Sequence, residues 1–152
     1  MNNSVDLAFE IIRDCFRQGG KLLLCGNGGS AADCDHIAAE LVNGMTKRIG
    51  GLPAFSLCRQ AAVITAIAND MGADEIFAQQ VRAYGKEDDV LLAISTSGKS
   101  ANVLKALEAA REKRMPTVFL TGSPNLSTQE NQEEHQRFYH ELCRRLEEEF
   151  YS

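Results

Sequence analysis

His36 and Glu40 stand four residues apart in a stretch where Ile37, Leu41 and Val42 recur at helical spacing, so imidazole and carboxylate share one helix face about a turn apart. That pairing suits a divalent metal or an acid–base site, although such a pair taken alone is more often an ordinary surface hydrogen bond. Gln132, His135 and His140 gather near the other end of the chain on a second helical pattern, with Gln132 and His140 about two turns apart. If this terminal helix folds over the mouth of the chain's two glycine loops, His36, Glu40, Gln132 and His140 converge into a nitrogen and oxygen ligand set suited to zinc. Two glycine-containing loops carry the remaining chemistry. Gly26-Asn27-Gly28-Gly29-Ser30-Ala31 follows a short apolar run and opens the His36 helix, which points backbone N–H groups and the positive end of a helix dipole at an anion. It nearly matches the dinucleotide-binding glycine pattern. Arg59 follows Cys58 where that fold wants an acidic residue, so nicotinamide binding is a minority reading, and no lysine followed by serine or threonine completes a triphosphate-binding loop. Ser95-Thr96-Ser97-Gly98-Lys99-Ser100 offers the hydroxyls of Ser95, Thr96, Ser97 and Ser100 at a predicted helix start. One serine there would be a helix cap; four hydroxyls make a cradle for a terminal phosphomonoester. Asn69-Asp70-Met71-Gly72 reads as a glycine C-cap, and Cys34 as a small buried apolar side chain.

The elements that must position these residues follow from periodicity. Val5, Ala8, Phe9, Ile12, Cys15 and Phe16 recur at helical spacing before Gly19-Gly20, which predicts an amphipathic opening helix over 1–20. Strand, glycine loop and helix come next in Lys21–Cys25, Gly26–Ser30 and the stretch through Val42, and the same order returns in Asp89–Ile94, Ser95–Ser100 and the stretch through Ala110. Further strands are predicted at Ala54–Leu57 and Pro116–Leu120, with helices at Gln60–Ala68 and Glu75–Ala83. Strands alternating with helices predict a parallel sheet covered on both faces. From Ser127 to Phe150 there is no proline or glycine, Phe138, Leu142, Leu146 and Phe150 repeat every four residues, and Ser127 with Glu130 forms a capping-box pattern, so 127–150 reads as one long helix. Its charges Arg144, Arg145, Glu147, Glu148 and Glu149 read as a solvated face.

Composition bounds the function. The chain has 152 residues, 44% hydrophobic and 24% charged, which fits one globular domain over 1–152. A net charge of −5 with no basic run argues against nucleic acid and anionic lipid as partners. No apolar run approaches the roughly 20 residues of a membrane span. The opening residues lack a basic, apolar signal pattern, and the five cysteines show no CxxC spacing, so a reducing cytoplasm is expected.

Cys-Gly-Asn-Gly-Gly-Ser-Ala-Ala-Asp at 25–33 with His36 and Glu40, Ala-Asn-Asp at 68–70, Ser-Thr-Ser-Gly-Lys-Ser at 95–100 and Gln132-Glu133-Glu134-His135 with His140 together resemble the phosphoheptose isomerases, sugar isomerase (SIS) domain proteins. The resemblance runs from about Asp6 to Phe150. It implies a three-layer αβα sandwich with a flavodoxin-like parallel sheet and a homotetramer with active sites between subunits. It further implies isomerisation of D-sedoheptulose 7-phosphate to D-glycero-D-manno-heptose 7-phosphate through an enediolate, at the start of ADP- or GDP-heptose biosynthesis. By the same resemblance, one zinc per subunit is held by His36, Glu40, Gln132 and His140. Substrate contacts fall on Asn27, Gly28, Gly29, Asn69, Asp70, Ser95, Thr96, Ser97, Ser100 and Gln132, with Glu40 as base and His140 as acid.

The chain also departs from that family. After Leu120-Thr121-Gly122 the usual helix and final parallel strand are absent, the opening helix is short, and Gln136, Arg137 and Glu141 stand where relatives tend to be apolar. The alternative is a non-catalytic SIS-domain protein that binds a sugar phosphate or a replication-initiator-type partner. The complete ligand set and the serine loop favour the enzyme.

Overall fold

The computed structural model describes residues 4–46 and 50–151. Within them the helices are α1 (Val5–Arg17), α2 (Gly29–Asn43), α3 (Ala61–Asp70), α4 (Ile76–Tyr84), α5 (Ala101–Glu112) and α6 (Thr128–Tyr151). The strands are β1 (Leu22–Gly26), β2 (Ala54–Ser56), β3 (Val90–Ser95) and β4 (Thr117–Thr121). The four strands form one parallel sheet in the order β2-β1-β3-β4. This is the expected α/β sandwich of flavodoxin-like order, and the chain passes from β4 to α6 without a fifth strand.

Alternation along the strands divides the core in two. Leu22, Leu24, Leu92, Ile94 and Leu120 face α1, α2 and α6, while Leu23, Cys25, Leu91 and Ala93 face α4 and α5. Strands buried on both faces therefore read as continuous apolar runs rather than alternating ones. The four-residue repeat of α6 does what its spacing predicts: Phe138, Leu142 and Leu146 are buried, and Phe150 packs edge-on to Phe16 at 6.0 Å. The capping box at its start is reciprocal, with Glu130 N–H donating to Ser127 Oγ at 3.2 Å and Ser127 N–H to Glu130 Oε2 at 2.7 Å.

The charged end of α6 is not simply a solvated face, which corrects the sequence reading. Glu147 is buried and accepts from the Met45 and Thr46 N–H groups and the Thr46 hydroxyl, satisfying backbone donors just beyond the end of α2. Arg145 lies over the Phe9 ring at 4.4 Å and pairs with Asp6, and Arg17 pairs with Glu149, so these charges fasten α6 to α1. Cys34 is fully buried in the apolar core, as expected.

One buried ion pair holds the bottom of the sheet. Asp89, 3% exposed, accepts from Lys21 Nζ at 2.5 Å and from the N–H groups of Lys21 and Lys86. Burial pushes its carboxyl upward, but the Lys21 side chain and the two backbone donors outweigh that and hold it below the usual carboxylate range. A carboxyl lowered by folding contributes stability above its unfolded value near 3.9, and that contribution is lost as pH falls through the folded value. Asp89→Asn is expected to cost about 2–3 kcal/mol at pH 7 and to flatten the loss of stability below about pH 4. Denaturant titrations at pH 7 and pH 3 measure both effects.

Candidate active site

Ligand sites in open parallel sheets lie where the strand order reverses, at the C-terminal ends of the strands. Here that point is the crevice between β1 and β3, whose register sets Gly26 beside Ile94. The two loops singled out in the sequence leave the sheet side by side for that reason.

The first loop turns sharply at Gly28, whose φ of +55° favours glycine, and delivers Gly29 as the first residue of α2. Asn27 exchanges two amide hydrogen bonds with Asn102 of α5, at 2.8 and 2.9 Å, which ties the first loop to the helix after the second. Asn102 carried no sequence signal; only the strand register reveals it. In the second loop Ser95 Oγ lies 3.4 Å from Ser97 Oγ and 3.2 Å from Ser100 Oγ, and accepts the Gly98 N–H at 3.1 Å. Ser100 precedes α5 without capping it through its side chain. The ordinary capping role therefore does not account for this serine: its hydroxyl is turned into the loop, beside the exposed first turn of α5.

The acid–base cluster sits on α2 and α6. His36 Nε2 is 2.7 Å from Glu40 Oε1, and His140 Nε2 reaches the same oxygen from α6 at 3.6 Å. The donor atoms of His36, Glu40 and His140 all lie within 4.8 Å of one another. Glu40 Oε2 is buried with no nitrogen or oxygen donor beside it, and the Cys143 thiol of α6 is only a weak further donor to this carboxylate. Two imidazoles and a carboxylate with a spare buried oxygen fit a divalent ion better than they fit a closed hydrogen-bond pair. Tyr139 braces the cluster, its ring 4.8 Å from that of His140 and 5.8 Å from that of His36, while its hydroxyl donates to buried Asp33 of α2 at 3.2 Å. Burial raises both Asp33 and Tyr139 above their ordinary values, although the hydrogen bond lowers Asp33 in part. Asp33 entered the sequence reading only as the last residue of the 25–33 motif, with no role given to it, and Tyr139 carried no signal beyond a helical position beside Phe138.

Gln132 comes from α6 to the first loop. A Cβ on Gly29 would fall 1.9 Å from Gln132 Nε2, so only glycine lets that amide lie against the loop. Gly29→Ala is expected to swing the flexible amide aside, lowering turnover at least tenfold with little change in melting temperature. Steady-state rates and a thermal melt on the same preparation test this; unimpaired turnover would make the contact incidental.

Two expected residues are not drawn in. Asn69 and Asp70 end α3 exposed, with Asn69 Nδ2 donating to Asp70 Oδ1 at 2.9 Å, and α3 packs chiefly on α4 and the turn at Ala73–Glu75. Gly72, with φ of +104°, closes that helix as its sequence predicts. His135 points elsewhere too: it is buried and lines a separate cavity beside β4.

Residues 1–122 match the family model described as SIS domain. The chain is similar to the phosphoheptose isomerase of Rhodospirillum rubrum, 43% identical over 156 residues that cover 93% of this chain and 83% of the relative. It is also similar to that of a Roseiflexus species, 52% identical over 114 residues covering 75% of this chain and 58% of the relative. Among solved structures it resembles the phosphoheptose isomerases of Neisseria gonorrhoeae, with a TM-score of 0.88 at 40% identity, and Francisella tularensis, with 0.91 at 35%. Each comparison covers 95% of this chain and 85% of the other.

Proposed function

The chain belongs to the SIS domain family, among the phosphoheptose isomerases, and on that premise we propose that it is an aldose–ketose isomerase converting D-sedoheptulose 7-phosphate to D-glycero-D-manno-heptose 7-phosphate. The observation that carries the reading is the meeting of His140 from α6 with His36 and Glu40 from α2, the helix that the first glycine loop opens. We read residues 1–152 as a single SIS domain whose last helix closes the site.

Moving a carbonyl from C2 to C1 takes a proton from C1, gives one to C2, and shifts a proton between the neighbouring oxygens. We assign Glu40 as the base for the carbon protons and His140 as the acid that serves the oxygens, a division their 3.6 Å approach supports. His36, Glu40 and His140, with Gln132 as the fourth donor, would hold one zinc per subunit. Zinc bound there supplies Lewis-acid polarisation of the carbonyl and hydroxyl oxygens. Asn27, Gly28 and Gly29 orient the reacting end. Ser95, Thr96, Ser97 and Ser100 bind the phosphate, whose binding energy fixes the distant carbons. Unphosphorylated sedoheptulose should consequently turn over at least a hundredfold less efficiently, the loss lying in kcat as well as KM. Equal kcat/KM for the two sugars would remove the serine loop from the reading.

Asn69 and Asp70 take their substrate role in a homotetramer, where α3 of one copy meets another. The support is α3 itself, an Ala-, Ile- and Val-rich helix in which Ile67 is the one residue buried in the single chain. The five free cysteines support a cytoplasmic setting. Among the described residues no helix is long and apolar enough to cross a membrane.

A further inference from the structure

β4 lies at the rim of the sheet with β3 as its one neighbour. Leu91 N–H donates to Pro116 C=O, and Gly122 N–H donates to Thr96 C=O. In a parallel pair the residues facing the neighbour alternate, so 116, 118, 120 and 122 turn their peptide groups to β3, and Thr117 and Phe119 turn theirs to the open side. Among the described residues no backbone group takes them up.

Edges of this kind are normally guarded by a charge, an internal proline or a bulge. Thr117-Val118-Phe119-Leu120-Thr121 has none of these, and it reads almost the same in both directions. Pairing two copies antiparallel about a two-fold axis through Phe119 sets Phe119 against Phe119, Val118 against Leu120 and Thr117 against Thr121. Phe119 then exchanges both of its outward hydrogen bonds with its symmetry mate.

Charge selects the same orientation. The turn leading into β4 carries Arg111, Lys113 and Arg114 against the single acid Glu112 and is basic on balance. The strand's other end adjoins the first turns of α6 through the Ser123–Asn131 hydrogen bonds, and those turns carry Glu130, Glu133 and Glu134, of which Glu134 pairs with Arg137, so this end is acidic on balance. Antiparallel docking lays the basic end of each copy on the acidic end of the other, whereas parallel docking would set like charges together. A cavity of about 510 Å³, with Val5, Leu120, Leu126 and Phe138 in its wall, leaves room beside the strand's C-terminal half.

We propose that the open edge of β4 is an interface with a second copy of this chain, joining two four-stranded sheets into one through antiparallel β4–β4 pairing. The interface is independent of the isomerase reading and of contacts made through α3.

Sedimentation velocity of the full chain over a range of concentrations tests it. Thr117→Pro deletes one outward N–H without touching the β3 ladder, and Arg114→Glu reverses an exposed charge at the end of the contact. Both variants should halve the mass of the assembly while circular dichroism and thermal melts stay native-like. A wild-type chain that is monomeric at all concentrations would overturn the proposal, as would two folded variants of unchanged mass. Should Thr117→Pro fail to fold, Arg114→Glu alone decides.

Discussion

His140→Ala is expected to lower kcat/KM for isomerisation by about 10²–10⁴-fold while the protein stays folded. The size follows from what the side chain does in the proposed site. It is the one member of the cluster supplied by α6, it reaches Glu40 at 3.6 Å, and it serves the oxygens as the double bond moves. The stability effect is small because the side chain is 44% exposed and lies outside the apolar seam of Phe138, Leu142 and Leu146. Thermal melts beside progress curves separate the two. Loss of activity with loss of fold would reduce His140 to a packing residue, and unchanged turnover would remove it from the mechanism. Glu40→Gln should be at least as damaging, since it removes the proposed base and the carboxylate that pairs with both His36 and His140.

Chelation has the second large effect. The donor atoms of His36, Glu40 and His140 lie within 4.8 Å of one another, and with no nitrogen or oxygen donor to the buried Glu40 Oε2 and only the weak Cys143 thiol beside the carboxylate, its charge is poorly compensated without a cation. Dialysis against a strong chelator should abolish turnover, and stoichiometric zinc should restore it. The melting temperature should rise on adding zinc because a ligand that binds only the folded state stabilises it by mass action. His36→Ala should weaken zinc binding measured by calorimetry without moving the melt of the metal-free protein. Full activity after exhaustive chelation would exclude a metal role for the cluster.

Much of this was legible in the residues and some was not, for reasons that are physical. The His36–Glu40 contact is local, so four-residue spacing on one helix face was enough to expect it. His140 lies 100 residues further along than Glu40, and what brings it back is the burial of Phe138, Leu142 and Leu146 in the core shared with α2. The apolar repeat was visible, but the rotation of α6 that points His140 at Glu40 is a property of the packed pair. Asn102 escaped notice because its role depends on the β1–β3 register, which juxtaposes residues 75 positions apart. Glu147 was misread because a charge at a helix end is usually solvated. The free backbone donors of Met45 and Thr46 that claim it exist only once α6 lies across the end of α2. Asn69 and Asp70 remain outside the cluster of this chain because α3 packs away from α2 and α6.

The missing fifth strand was also visible in the sequence, as a jump from Gly122 to the segment before α6, and the four-stranded sheet bears it out. The sheet edge changes, but the crevice between β1 and β3 does not. The serine loop and the first glycine loop keep their positions because their strands are central. The chemistry and the lost strand thus lie at different places in the sheet.

The most direct test of the central claim is to follow sedoheptulose 7-phosphate by NMR in the presence of zinc-replenished protein, with Glu40→Gln in parallel. The account predicts zinc-dependent appearance of the anomeric proton signals of the aldose 7-phosphate with wild type and none above background with the variant. Saturable binding of the sugar phosphate without any aldose signal would contradict it and identify the chain as a sugar-phosphate-binding SIS protein that does no chemistry.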